Sequence, residues 1–210
     1  MLPDSLPHKT VTEQAGYFFP QHMHIINKIT GQEIYFVATG TDTKGQSLDM
    51  LATYPAFSPE PPEHYHPHQE EFFGVLEGEL TVRLNGEINV YREGDMVHIK
   101  KGVPHSMWNA GFGVTRVNWK VFPAMDTAHF LTTLTQLANE GKTNTKGIPP
   151  LPVMLFLLKK HHHTFRLVKP PAFVLWLMSI IMQPLFYLCG YKKRFSQQLR
   201  VPVKIFPVSN

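Results

Sequence analysis

Cysteine is almost missing: Cys189 stands alone in 210 residues, so no intrachain disulfide can staple the fold, and nothing asks for an oxidising compartment. Charge is also sparse, at 17% against 43% hydrophobic residues, a balance that excludes a disordered or fibrous chain. There is no internal repeat and no helix-turn-helix pattern, so nucleic acid is not an expected partner. The opening segment MLPDSLPHKTVTEQAG has no apolar run behind a basic stretch and is not expected to be a signal peptide, which points to the cytoplasm. Acid is missing from the whole C-terminal third. Residues 1–140 hold all 16 Asp and Glu against 9 Lys and Arg, a net of −7, whereas residues 141–210 hold 11 Lys and Arg and no acid. A split this clean predicts that the two parts face different partners.

What is present in the acidic part reads as all-β. Short apolar runs recur at 33–38, 48–54, 71–76, 80–84, 88–91, 96–99 and 114–122, separated by turn residues. Leu80, Val82 and Leu84 alternate with polar neighbours, and Asn85-Gly86 offers the pair of positive-φ residues that a two-residue hairpin needs. Val117, Trp119 and Val121 alternate with Arg116, Asn118 and Lys120, the pattern of a strand with one wet face. Strands so short and evenly spaced predict a barrel or sandwich. After Pro123 the period changes to that of a helix, with Asp126 as the predicted N-cap, a stripe of Phe130, Leu131, Leu134, Leu137 and Ala138, and an end at Gly141.

Chemistry concentrates in two stretches. His64 and His66, one residue apart on an extended chain, point to the same side, and Glu71, with Glu70 as the fallback, brings a carboxylate from the same strand or its entry. His105 follows the turn at Lys101-Gly102. His68 is a candidate for the rim of this cluster and Gln69 reads as loop surface, while His98 reads as structural. Parity places Glu71, Phe73 and Val75 on one face, and His105, Met107 and Asn109 on another.

In these residues the sequence resembles the cupin superfamily. The first cupin motif (H-x-H, four residues, E, six residues, G) is matched by His64, His66, Glu71 and Gly78, and the second by Gly94, Gly102, His105 and Asn109. Ser58 and Lys100 depart from it, at turn positions that carry no ligand. The resemblance implies a cupin or jelly-roll β-barrel and a divalent transition metal held by His64, His66, Glu71 and His105. Three imidazoles and a carboxylate favour Fe or Mn here, and also suit Ni, Co or Zn. Phe73, Met107, Asn109 and Trp119 are the expected substrate pocket, which predicts a small apolar or aromatic substrate. Among cupins the pattern is similar to the small dioxygenases of the quercetinase type, with Glu71 as the candidate catalytic base. A cupin isomerase or epimerase, and a small-molecule-binding module without turnover, are the alternatives.

The expected organisation is an N-terminal strand or arm at 1–30, a barrel at 31–125, a covering helix and linker at 126–147, and a basic, apolar helical pair at 148–210. The uncharged run 170–191 would span about 33 Å as a helix, near the thickness of a bilayer core, with Pro184 as a kink. Basic blocks flank it, so residues 148–204 are a candidate contact for an anionic membrane surface, with docking on the acidic barrel as the competing reading. His161, His162 and His163 read as a helix end, and Cys189 as a small buried hydrophobe. A homodimer through an exposed sheet edge completes the expected partners.

Overall fold

Alternating apolar positions and tight turns fold the acidic part into two antiparallel sheets in the computed structural model, which describes residues 23–171 together with 173, 174, 177, 178 and 180. The strands are β1 (His24–Ile26), β2 (Glu33–Ala38), β3 (Leu48–Tyr54), β4 (His64–Tyr65), β5 (Glu70–Glu77) and β6 (Glu79–Leu84). They continue as β7 (Glu87–Arg92), β8 (Met96–Ile99), β9 (His105–Trp108), β10 (Thr115–Phe122) and β11 (Arg166–Leu167). Two helices, α1 (Thr127–Asn139) and α2 (Leu151–Lys160), separate the last two strands. One sheet runs β1-β2-β3-β10-β5-β8 and the other β11-β4-β9-β6-β7. The result is a jelly-roll barrel with helices against it.

Side-chain parity decides what fills the space between the sheets. On β10, Thr115, Val117, Trp119 and Val121 are buried while Arg116 and Phe122 are exposed. Met50, Leu80, Val82 and Phe73 join Val117 and Val121 in a fully enclosed core. Each such side chain contributes roughly 1.5–3 kcal/mol of apolar burial. The β6–β7 hairpin turns at Asn85 and Gly86 with φ of 49° and 87°, as their sequence predicts. Gly78 joins β5 to β6 at φ 77°, where a Cβ would lie 2.4 Å from the Val114 carbonyl oxygen, so only glycine fits this motif position.

The short strands β4 and β11 are additions to the sequence reading, whereas β1 falls within the stretch expected as an N-terminal strand or arm. Two expectations are corrected. Gln69 is no loop surface: it is 1% exposed, and its Nε2 donates to the Pro123 and Ala124 carbonyls and to Thr127 Oγ1, tying the entry of β5 to the start of α1. Asp126 occupies the N-cap position of α1 but makes no side-chain cap bond. Its carboxylate turns instead to His161 and Thr164.

The helices build a second small core, in which Phe130 and Leu137 of α1 meet Val153 and Leu157 of α2. The apolar side chains Val153, Met154, Leu155, Leu157 and Leu158 are thus buried within this chain. Among the described residues no helix is long and apolar enough to cross a membrane. The expected N-terminal arm before residue 23, most of the apolar run 170–191 with Pro184 and Cys189, and the basic block 192–204 lie outside the described residues.

Candidate metal centre

Both sheets contribute to one point inside the barrel. His64 on β4 pairs directly with His105 on β9, so the two imidazoles leave the same sheet side by side, with ring centroids 4.5 Å apart. His66, just beyond β4, places its ring 5.2 Å from His64 and 5.3 Å from His105. The three rings offer ligand nitrogens that all lie within 4.8 Å of one another. Glu71 reaches in from β5 of the opposite sheet, its Oε2 2.9 Å from His105 Nε2 and 3.4 Å from His66 Nε2. Glu70, next in sequence, points the other way and pairs with His98 at 2.8 Å. The strand alternation therefore selects Glu71 over Glu70.

Backbone carbonyls decide which ring nitrogens face inward. His64 Nδ1 donates to Pro62 O at 2.9 Å, His66 Nδ1 to Thr164 O at 2.6 Å, and His105 Nδ1 to Val103 O at 2.8 Å. A carbonyl oxygen can only accept, so each Nδ1 carries a proton and, in the neutral ring, each Nε2 presents a lone pair to the centre. This is the arrangement by which proteins hold imidazoles for a metal. Glu71 is held in the same manner, its Oε1 accepting from Trp119 Nε1 at 3.0 Å. His66 Nε2, His105 Nε2 and Glu71 Oε2 are buried and find no hydrogen-bond partner outside this cluster. Leaving such groups unmatched is costly, and a divalent cation between them would satisfy all three. The donor set fits a transition metal.

The electrostatics follow from crowding a carboxylate among imidazoles away from water. Burial opposes ionisation of Glu71, but His66 and His105 beside it outweigh that and bring its pKa down to about 2. Burial works against a charge on His105 too, and the hydrogen bond and negative charge of Glu71 overcome it, so its pKa rises. His64 moves well below the ordinary histidine range through burial, reinforced by the charges of His105 and His66.

Beside the cluster lies a cavity of about 180 Å³. His64, His66, Met107 and Trp119 line it from the barrel, and Phe130, Leu134, Met154 and Phe165 from the helices and the segment after them. Tyr54 contributes a phenol whose pKa burial raises, so it stays protonated. Two pocket expectations are corrected. Phe73 is fully enclosed and stacks on Trp119 behind the wall, at a centroid distance of 5.3 Å. Asn109 is spent on backbone: its Nδ2 donates to the Tyr54, Pro55 and Gly113 carbonyls, and its Oδ1 accepts from Gly111 N–H. Ser58, one of the two departures from the cupin motif, accepts the Asn109 N–H at 2.9 Å and so holds the same turn. His68 is exposed, near His163.

The cavity wall built by the helices was not assigned from sequence. Thr164 and Phe165 sit almost 100 residues beyond His66, in a basic stretch whose composition suggested an outside partner. Yet Phe165 stacks on His64 at 4.5 Å, and β11 pairs Leu167 with His64.

The family comparison agrees with this geometry, since residues 50–119 match the model described as a cupin domain. The chain carries a cupin domain. Among curated proteins, it is 33% identical over 61 residues to the tetracenomycin polyketide synthase protein TcmJ of Streptomyces glaucescens, covering 29% of this chain and 41% of that protein. It is 26% identical over 155 residues to the probable oxidoreductase virH of Hypocrea virens, covering 68% of this chain and 69% of that protein. The cupin matches at higher identity therefore span less than half of those relatives' own length. Among solved structures, a cupin-superfamily sugar phosphate isomerase from Silicibacter pomeroyi is similar at 19% identity and a TM-score of 0.40, over 45% of this chain and 60% of that one.

Proposed function

We propose that this cupin is a metal-dependent oxidoreductase of the dioxygenase type, acting on a small aromatic or otherwise apolar substrate. The observation that carries the reading is the set of three imidazoles locked to present Nε2, beside a buried carboxylate, next to an aromatic-walled cavity. Distant relatives named as probable oxidoreductases support it. His64, His66, Glu71 and His105 would hold the ion, with Fe or Mn favoured. Such an ion supplies Lewis-acid and redox chemistry when bound.

The chain's own residues do the rest. Trp119, Phe130, Phe165 and Leu134 exclude water and orient a flat apolar molecule. At about 180 Å³ the cavity has room for a one-ring substrate, since a cavity of roughly 150 Å³ accepts benzene. That favours a catechol-sized molecule over a three-ring flavonol. Glu71 Oε1 is occupied by Trp119, so Oε2 is the atom that would ligate the ion and, on loosening from it, receive a proton from a substrate hydroxyl. Sugar isomerisation is less well served: among the described lining residues Lys146 is the one lysine or arginine available to hold a phosphate or acid.

Oxygen uptake tests the reading. Protein loaded with Fe(II) or Mn(II) is incubated with one-ring catechols and with flavonols in an oxygen electrode, with anaerobic controls. Uptake with a one-ring compound is the expected result. Silence across the panel, with the ion bound, overturns it in favour of binding without turnover.

A further inference from the structure

The metal-facing rings of His64 and His66 do not rest on the barrel alone. His66 Nδ1 is satisfied by the carbonyl of Thr164, and His64 lies under the ring of Phe165, with an interplanar angle of 26°. Both supports belong to the short segment between α2 and β11. A connecting segment has little order of its own, so something must hold it where these contacts need it. Asp126 is placed to do so. One of its carboxylate oxygens accepts from His161 Nδ1 at 2.5 Å, and the other accepts from Thr164 Oγ1. His161 is 1% exposed and Thr164 is 1% exposed, so the latch is shielded from water on that side. The same carboxylate forgoes the helix cap that its position invites.

We propose that Asp126 is a positioning residue for the metal centre, clamping the segment His161–Phe165 so that the Thr164 carbonyl and the Phe165 ring hold His66 and His64 in their ligating orientations. The inference rests on the metal-site reading above. The segment that follows the barrel is thereby a working wall of the site, and its contacts run back through Asp126 to the start of α1. Outer partners of ligating histidines change metal affinity by about 10–100-fold when lost. Asp126 stands one contact further out, which places its effect near the lower end of that range.

The test is Co(II) affinity of the full chain by competition titration, read together with the visible spectrum of the bound Co(II). Asp126→Ala should raise the Co(II) Kd about tenfold and alter the spectrum. Thr164→Val, nearly isosteric, removes one arm of the clamp and keeps the carbonyl; it should raise Kd severalfold, with Thr164→Ser restoring it. Thr164→Val decides the matter if Asp126→Ala does not fold. A merely structural latch would lower the melting temperature of metal-free protein while leaving Kd within twofold and the spectrum unchanged, and that result overturns the proposal. Failure of the wild type to bind one Co(II) per chain overturns the metal-site reading itself, a separate outcome.

Discussion

Replacing Trp119 with Phe isolates the contact that orients Glu71. The indole Nε1–H donates to Glu71 Oε1 at 3.0 Å, and the ring is 7% exposed. Phe keeps the stacking surface toward Phe73 but offers no donor. A buried hydrogen bond to a charged group is worth about 1.5–3 kcal/mol. The smaller ring vacates about 40 Å³, which adds at most ~1 kcal/mol at 24 cal/mol per Å³, and less here because the wall already borders a cavity. The expected loss is roughly 1.5–4 kcal/mol, or about 3–16 °C in melting temperature for a domain of this size. Because Oε1 is no longer fixed, Glu71 can rotate away from the imidazoles, and Co(II) affinity should fall about 10–100-fold. Met107→Leu, on the same cavity but without a bond to Glu71, is the control and should leave affinity unchanged. The assay pairs thermal unfolding with Co(II) competition titration. Should Trp119→Phe keep its Kd within twofold of wild type, the argument that Trp119 holds the carboxylate is refuted.

Four further outcomes follow from the same geometry. In metal-free protein the raised pKa of His105 contributes stability that is fully present below its unfolded value of 6.5 and is lost as pH rises through the folded value, so melting temperature should fall on the alkaline side of 6.5. Added Co(II) should offset that fall and His105→Asn should abolish it; an equal fall in the variant sinks the assignment. Gln69→Ala removes both amide hydrogens that three acceptors share and should cost about 2–3 kcal/mol in urea denaturation without changing Co(II) Kd. Leu134→Trp adds about 60 Å³ of side chain to a cavity of about 180 Å³ and should prevent binding of a one-ring catechol, seen by calorimetry, while the metal still binds. A chain ending at Gly147 lacks Thr164 and Phe165 and should lose Co(II) affinity by at least tenfold, whereas one ending at Lys169 should retain it; liposome flotation of the Lys169 form against the full chain then reports whether the region beyond it binds anionic membranes.

The two cupin stretches carried the ligands on their face because strand parity is local. His64 and His66 two apart, and Glu71 rather than Glu70 facing inward, need only the pleat of an extended chain. The β6–β7 hairpin was equally legible, since Asn85-Gly86 demands positive φ at both turn positions. The helix from 127 announced itself through a 3.6-residue stripe. Other features depended on partners far along the chain. Asp126 looked like an N-cap, and Gln69 like a loop residue, because nothing nearby shows that a buried carbonyl, hydroxyl or imidazole will arrive to claim them. Asn109 was placed in the pocket by parity, yet the distant Tyr54 and Pro55 carbonyls, with that of Gly113 in its own turn, use up its amide.

By itself, then, the order of residues determined which elements form and which side of each strand a ligand occupies, because those depend on backbone geometry over a few residues. Tertiary structure alone decided that His66 has its outer nitrogen on the Thr164 carbonyl, that Trp119 grips Glu71, and that the segment after α2 roofs the cavity. Those contacts join groups separated by 48 residues for Trp119 and Glu71 and by 98 for His66 and Thr164. Their energies exist only once burial removes water as the competing partner.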